Sequence, residues 1–476
     1  MNNAAAIAAH RFGLGEATLT AVQGDPQAWL LAQIGPAEVA RGEGLLTTDQ
    51  AVAHVTAEAE NRRMAKNPLP GMTAEQVLAS HYREVIAADV RSRFNTAALT
   101  QRPFAERLVW FWANHFTVSL TKGSVRGLVG AFERDAIRPF IAGSFEQMLV
   151  ASITHPAMLR YLDNNQSAGP NSALAQRAAR RAQSSSVDVT EQRRTVGLNE
   201  NLAREVLELH TLGAANGRTE QLDGYRQADV TALASVLTGW RVGQQTDATS
   251  RFDAAWHEPG RKTVLGKTYE GGPEALRAAL HDLAEHPATA RFIATKLARH
   301  FIADEPPASV IDKLTAAYLR SHGQLSEVYR ELIRSPEAWT APTVKLKTPE
   351  EFVVSTVRVL GLGSLNTRLE DRPGAGLMNN PGSAVNTLGQ RPHTAPSPAG
   401  WPDKAADWLG PEAVWQRMEW ATRVADRVGR TVDARALASA SLGAQLSEAT
   451  RSQIERAADG PQALALLLMS PEFQRR

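Results

Sequence analysis

The sequence predicts a mainly α-helical protein: one large multi-helical domain over residues 1–476, with a small β-hairpin and two long loops. Three observations predict it. Apolar residues recur along most of the chain with the ~3.6-residue period of helices. Ala, Leu and Arg abound while β-branched runs are few, which favours helix over strand. Segment starts also carry N-terminal signals. Thr348-Pro349-Glu350-Glu351 reads as a cap, a proline in the first turn and acids at the positive end of the helix dipole. Ser335-Pro336-Glu337 and Ser470-Pro471-Glu472 repeat the device.

The elements follow in order. Phe104–Ser119 is apolar nearly all round and must be central. Asn114 and His115 near its end are polar groups in a greasy setting, and each needs a partner. His115 is a candidate general base or metal ligand, or a helix-end histidine bonded to backbone. His155–Asn164 reads as a helix that Asp163 closes, a good place for a loop-borne acid. The following stretch, Asn164 to Val196, is rich in Ser, Ala, Gln and Arg, which makes residues 164–198 a mobile excursion.

Asn199 then caps a helix that ends at Gly213. Leu202, Val206 and Leu209 form its buried stripe, and Asn201, Arg204, Glu205 and Glu208 share the other side. Carboxylates three apart are neighbours, which raises one pKa, as a general acid requires, or lets the pair hold a cation. Arg204, four before Glu208, could neutralise it as a surface pair, and a solvated polar face is the plainer alternative. His210 falls on the flank of the stripe and reads first as a core histidine.

Arg251–Tyr269 is the strand candidate, with His257-Glu258-Pro259-Gly260 as the turn between two extended runs. Leu276, Leu280 and Leu283, then Ile293, Leu297 and Phe301, mark two helices broken at His286-Pro287. Phe352, Val353, Thr356, Val357 and Leu360 mark another, stopped by Gly361. Residues 371–403 hold six prolines and five glycines, and a loop of that length inside a helical domain is more often functional than idle. Trp240, Arg241 and Trp401 sit on irregular segments, where indoles stack on sugars, bases or cations, although large aromatics also build cores.

Composition removes several function classes. The 52 basic and 50 acidic side chains nearly balance, unlike a dedicated nucleic-acid binder. Cysteine is absent, which excludes disulfides, thiolate catalysis, zinc–sulfur sites and iron–sulfur clusters. No transmembrane segment and no secretory signal is visible, so a cytoplasmic location is expected from the sequence. His-Glu-x-x-His, the Glu-x-x-His of di-iron bundles, phosphate loops and nucleophile elbows are all missing.

Taken in order, several stretches resemble the bacterial family called domain of unknown function 1800. They are His10–Gly15, Phe111–Thr117, His155–Asp163 and, most specifically, Asn199–Gly213. Thr238–Arg241, His286–Ala290, Lys347–Pro349 and Gly400–Pro402 complete the likeness over nearly the whole chain. One position departs: Ala113 stands where relatives often carry a histidine. The resemblance implies work at the cell envelope beside a Tat-exported alkaline-phosphatase-like partner, and hence export to the periplasm in company.

The expectation is therefore an envelope enzyme acting on a polymer, foremost a polysaccharide. Glu205 and Glu208 are the acid and base, and Asp163 is an alternative carboxylate. His115 and Asn201 orient them, while Asn114, Arg204, Trp240, Arg241 and Trp401 bind substrate. Two further classes stay open: a metal- or haem-dependent oxidoreductase using His115 or His210, and a non-catalytic partner of the phosphatase-like protein.

Overall fold

The structure is a computed structural model that describes residues 3–55, 74–184, 197–213, 224–243, 250–340, 343–362 and 381–476. Helices dominate, and one hydrophobic cluster runs from Ala5 to Phe473. Its centre is the Pro103–His115 helix, where Phe104, Leu108, Val109 and Trp112 are all buried. Pro273–Ala284 and Pro287–Phe301 form the expected pair. They are separated by His286, whose Nδ1 accepts the Ala288 amide at 3.1 Å. His155 caps Pro156–Tyr161 identically, accepting from Ala157 at 3.1 Å. The repeated His-Pro-Ala triplet is thus a helix-start device, with proline supplying the first-turn φ and imidazole replacing the usual hydroxyl cap.

Thr348 caps Pro349–Val359 in a reciprocal box with Glu351, and Ser470 caps Pro471–Gln474. Ser335 does not behave this way. Its hydroxyl donates to the Glu331 carbonyl, and Pro336–Trp339 is only a 3₁₀ turn.

The strand expectation needs correction. Among the described residues, four short strands make two antiparallel pairs: β1 (Trp240–Val242) with β2 (Ser250–Phe252), and β3 (Lys262–Val264) with β4 (Lys267–Tyr269). The tight turn lies at Leu265-Gly266, where both residues have positive φ, 50° and 78°, as primed hairpin turns demand. His257–Gly260 instead links the pairs. His257 is buried there, bonded to the Thr238 carbonyl and the Gly272 amide.

Of the 164–198 excursion, the part from Asn164 to Ser172 is packed, followed by the Ala173–Ser184 helix. Asn164 Nδ2 bonds the Leu237 and Trp240 carbonyls, each at 3.1 Å, so polar side chains anchor this segment where apolar ones are scarce. Residues 185–196 lie outside the described residues. In the 371–403 loop, 371–380 lie outside them too, Pro381–Thr387 is helical, and the remainder returns to the Pro103–His115 helix.

Candidate functional site

The Asn199 segment begins as expected, with Asn199 Oδ1 accepting the Asn201 amide at 2.9 Å. The helix runs from Asn201 to Glu205 and then widens into a π turn over Val206–Thr211. The Leu212 amide reaches back five residues to the Leu207 carbonyl at 2.9 Å, and Thr211 Oγ1 bonds the Val206 carbonyl at 2.7 Å. The wider turn shifts the buried stripe. Leu202 and Val206 are buried as expected, but Leu207 and His210 join them while Leu209 is partly exposed. Such π turns recur at functional sites.

On the other side, Asn201 is exposed and Glu205 and Glu208 are half-buried. Arg204 turns away from Glu208 to Glu200, at 3.3 Å. Gln227 and Thr231 hold the same Glu200 carboxylate, each at 2.7 Å. Among the described residues no basic side chain comes within ion-pair distance of Glu205 or Glu208. Glu208 Oε2 accepts the Tyr225 hydroxyl at 3.2 Å. Burial, reinforced by the like charge of Glu208, raises Glu205 to about 6 against the pull of Arg204. Burial and then the Glu205 charge push the Tyr161 phenol up to about 12. A carboxyl with a raised pKa, a neighbouring carboxyl and two phenols therefore share one locale.

Asp163 follows Tyr161 closely, in the left-handed region at φ 60°, an uncommon conformation outside glycine. It is committed to an ion pair with Lys122, whose Nζ also donates to the Tyr161 carbonyl at 2.7 Å. Nearby, Trp240 and Arg241 belong to β1. Arg241 stacks on Trp256 at 3.7 Å and pairs with Asp253 at 3.6 Å, so its guanidinium is already engaged within the hairpin region.

His115 does reach the 199–210 segment, but not its carboxylates. It bonds the His210 carbonyl through Nε2 at 3.1 Å, and Lys296 Nζ donates to its Nδ1 at 3.0 Å. A carbonyl can only accept, so Nε2 carries the proton. Burial and then Lys296 hold His115 well below the usual histidine range. This imidazole is a neutral bridge between helices rather than a positioner of Glu205. His210 is fully buried, as a core histidine, and among the described residues neither ring nitrogen is bonded. Among the described residues no three His, Asp or Glu side chains gather as metal ligands, and both His115 nitrogens are taken.

Asn114 and Trp401 lie elsewhere, lining a cleft of about 370 Å³ at the end of the Pro103–His115 helix. The amide of Asn114 is spent on the loop, bonding both the amide and the carbonyl of Trp401 at 2.7 and 2.9 Å. Asn114 therefore positions Trp401 instead of binding substrate. Glu205, Glu208, Arg204, Trp240 and Arg241 are not in this lining, so the sequence-derived set divides between two places.

Beneath the cleft is a buried ionic layer that the sequence reading missed. Glu351 joins Arg107 and Arg476, the latter at 2.9 Å, and Arg476 continues to Asp403 at 3.3 Å. His300 Nδ1 meets Asp403 at 3.2 Å. Burial alone would raise both acids, but their cationic partners prevail and hold Glu351 at about 2 and Asp403 well below the carboxylate range. The available signal is the pair of acids in Thr348-Pro349-Glu350-Glu351, which in sequence is indistinguishable from helix capping.

No curated protein and no solved structure matches the chain. A family model described as "Protein of unknown function (DUF1800)" matches residues 7–475. The chain belongs to that family over essentially its whole length.

Proposed function

We propose that the protein is an enzyme working by carboxylate acid/base catalysis, with Glu205 as the proton donor and Glu208 as its partner carboxylate. The observation that carries this reading is the half-buried Glu205, held at about 6 by burial and by Glu208, with no basic side chain within ion-pair distance among the described residues. An acid poised near the working pH transfers protons efficiently. Tyr225 holds the Glu208 carboxylate at 3.2 Å, which orients the second group. Two neighbouring carboxyl groups with unlike environments are what glycoside cleavage uses. The substrate proposed is accordingly a carbohydrate polymer of the cell envelope, with the protein working beside an exported alkaline-phosphatase-like partner.

The test is release of reducing ends from purified peptidoglycan and capsular polysaccharide by the protein, Glu205→Gln and Glu208→Gln. The reading expects activity in the parent, and losses of at least ~100-fold in both variants, within the usual contribution of a general acid or base. Unchanged phenotypes in both would instead make the polar stripe structural, as a non-catalytic partner requires.

A further inference from the structure

The cleft at the end of the Pro103–His115 helix does not contain the carboxylate pair, and its lining has an uneven supply of donors and acceptors. Its buried carboxylates are all engaged. Glu133 is paired with Arg93 and Arg138, Glu350 with Arg93, and Glu351 with Arg107 and Arg476. Asp403 serves His300, Arg476 and Lys345. Lys296, by contrast, has no carboxylate within ion-pair distance among the described residues. Its ammonium donates to the neutral imidazole of His115 at 3.0 Å. A half-buried ammonium with no acid in direct contact is costly, and the Asp403 charge that favours it is already shared with His300, Arg476 and Lys345.

A second observation points the same way. Trp110 lines the cleft and is 6% exposed, yet its indole N–H has no acceptor among the described residues. His393 lines the cleft as well, and its buried Nε2 is also without a partner among the described residues. Buried polar groups nearly always find a hydrogen bond, so orphaned ones in the wall of a cavity of ligand size mark polar atoms that a ligand can satisfy once the wall side chains shift.

We propose that this cleft binds a small molecule carrying an oxyanion, a carboxylate or a phosphate, with Lys296 as its counter-charge and Trp110 and His393 meeting its remaining polar atoms. Burial brings Lys296 down to about 8, so the ammonium form still prevails at neutral pH and attracts an anion. Trp401, fixed by Asn114, forms part of the wall, and its indole offers the ligand an apolar face. The buried carboxylates of the wall would repel an anion, but Arg93, Arg138, Arg107, Arg476 and Lys345 neutralise them, and Asp407, a further acid of the lining, is exposed to solvent. The proposal is independent of the role given to Glu205, because the two sets of residues do not overlap.

The test is calorimetric titration at constant ionic strength with inorganic phosphate, with glucuronate, and with glucose as the uncharged control. Saturable binding of either anion without binding of glucose is expected, and the preferred anion separates a phosphorylated ligand from a carboxylated one. Lys296→Met should weaken binding at least tenfold, while Lys296→Arg should stay within about threefold of the parent. In the unaltered protein, the Trp110 indole N–H resonance, assigned with Trp110→Phe, should shift as the anion binds, which provides a reading that does not depend on a variant folding. No saturable anion binding, equal binding of glucose, or unchanged affinity in folded Lys296→Met would overturn the proposal.

Discussion

Asn114 accepts the Trp401 amide at 2.7 Å through Oδ1 and donates to the Trp401 carbonyl at 2.9 Å through Nδ2, joining residues 287 positions apart. The neighbouring Gly400, at φ +86°, is what permits the approach. A Cβ there would lie 2.5 Å from the Asn114 carbonyl oxygen. The clamp explains why the 388–403 segment takes one path against the helix end despite its irregular backbone.

Asn114→Ala should therefore cost about 1–3 kcal/mol, the usual penalty for leaving partly buried backbone groups unmatched. Gly400→Ala should act in the same direction and more strongly, since it adds left-handed strain to the clash. Urea unfolding measures both, and neutrality in both would show that the loop is held by something else.

Glu205 links stability to pH with a definite sign. Its folded pKa, about 6, is raised above the ordinary 4.5. Its contribution is thus fully favourable below the unfolded value and declines as pH rises through the folded one. Glu205→Gln should stabilise the protein above pH ~6, with the difference vanishing towards pH ~4, as follows from that window. Solvent screening of a half-exposed group limits the gain to about 1 kcal/mol. Denaturation at the two pH values decides it.

The bridge through His115 fixes one tautomer, with the proton on Nε2 and Nδ1 facing Lys296. Nitrogen NMR should show that tautomer unchanged from about pH 8 to about pH 5.5, a range in which an ordinary histidine titrates. Titration of His115 within this range would mean that the imidazole is far wetter than its packing implies.

The buried ionic layer predicts the opposite sign from Glu205. The folded pKa of Glu351 is depressed to about 2, so its contribution is present above the unfolded value and is lost as pH falls through the folded one. Glu351→Gln strands Arg107 and Arg476 and should cost about 3–5 kcal/mol, as breaking a buried pair does. Near-parental stability in this variant would mean that solvent reaches the arginines.

The helical class was legible because periodicity and caps act locally: Pro287–Phe301 and Pro349–Val359 lie where their sequences put them. The Leu209 register was not, since the π turn arises from packing against neighbouring helices and leaves no mark in a 100° periodicity. The hairpin was misplaced because Leu265 adopts positive φ, a conformation that leucine rarely signals. In the candidate site, Glu205 and Glu208 could be paired from their spacing alone. Arg107, Glu351 and Arg476 could not be grouped, because no local rule joins residues 244 and 125 positions apart.

The property that most needs direct measurement is the raised titration midpoint of Glu205. Carbon-13 NMR of the side-chain carboxyls, with Glu205 assigned through Glu205→Gln, reads this directly. A midpoint near 6 is expected in the parent protein, falling in Glu208→Gln as the like charge is removed while burial remains. A Glu205 midpoint at or below the ordinary glutamate value of 4.5, or one that does not respond to Glu208→Gln, would contradict it.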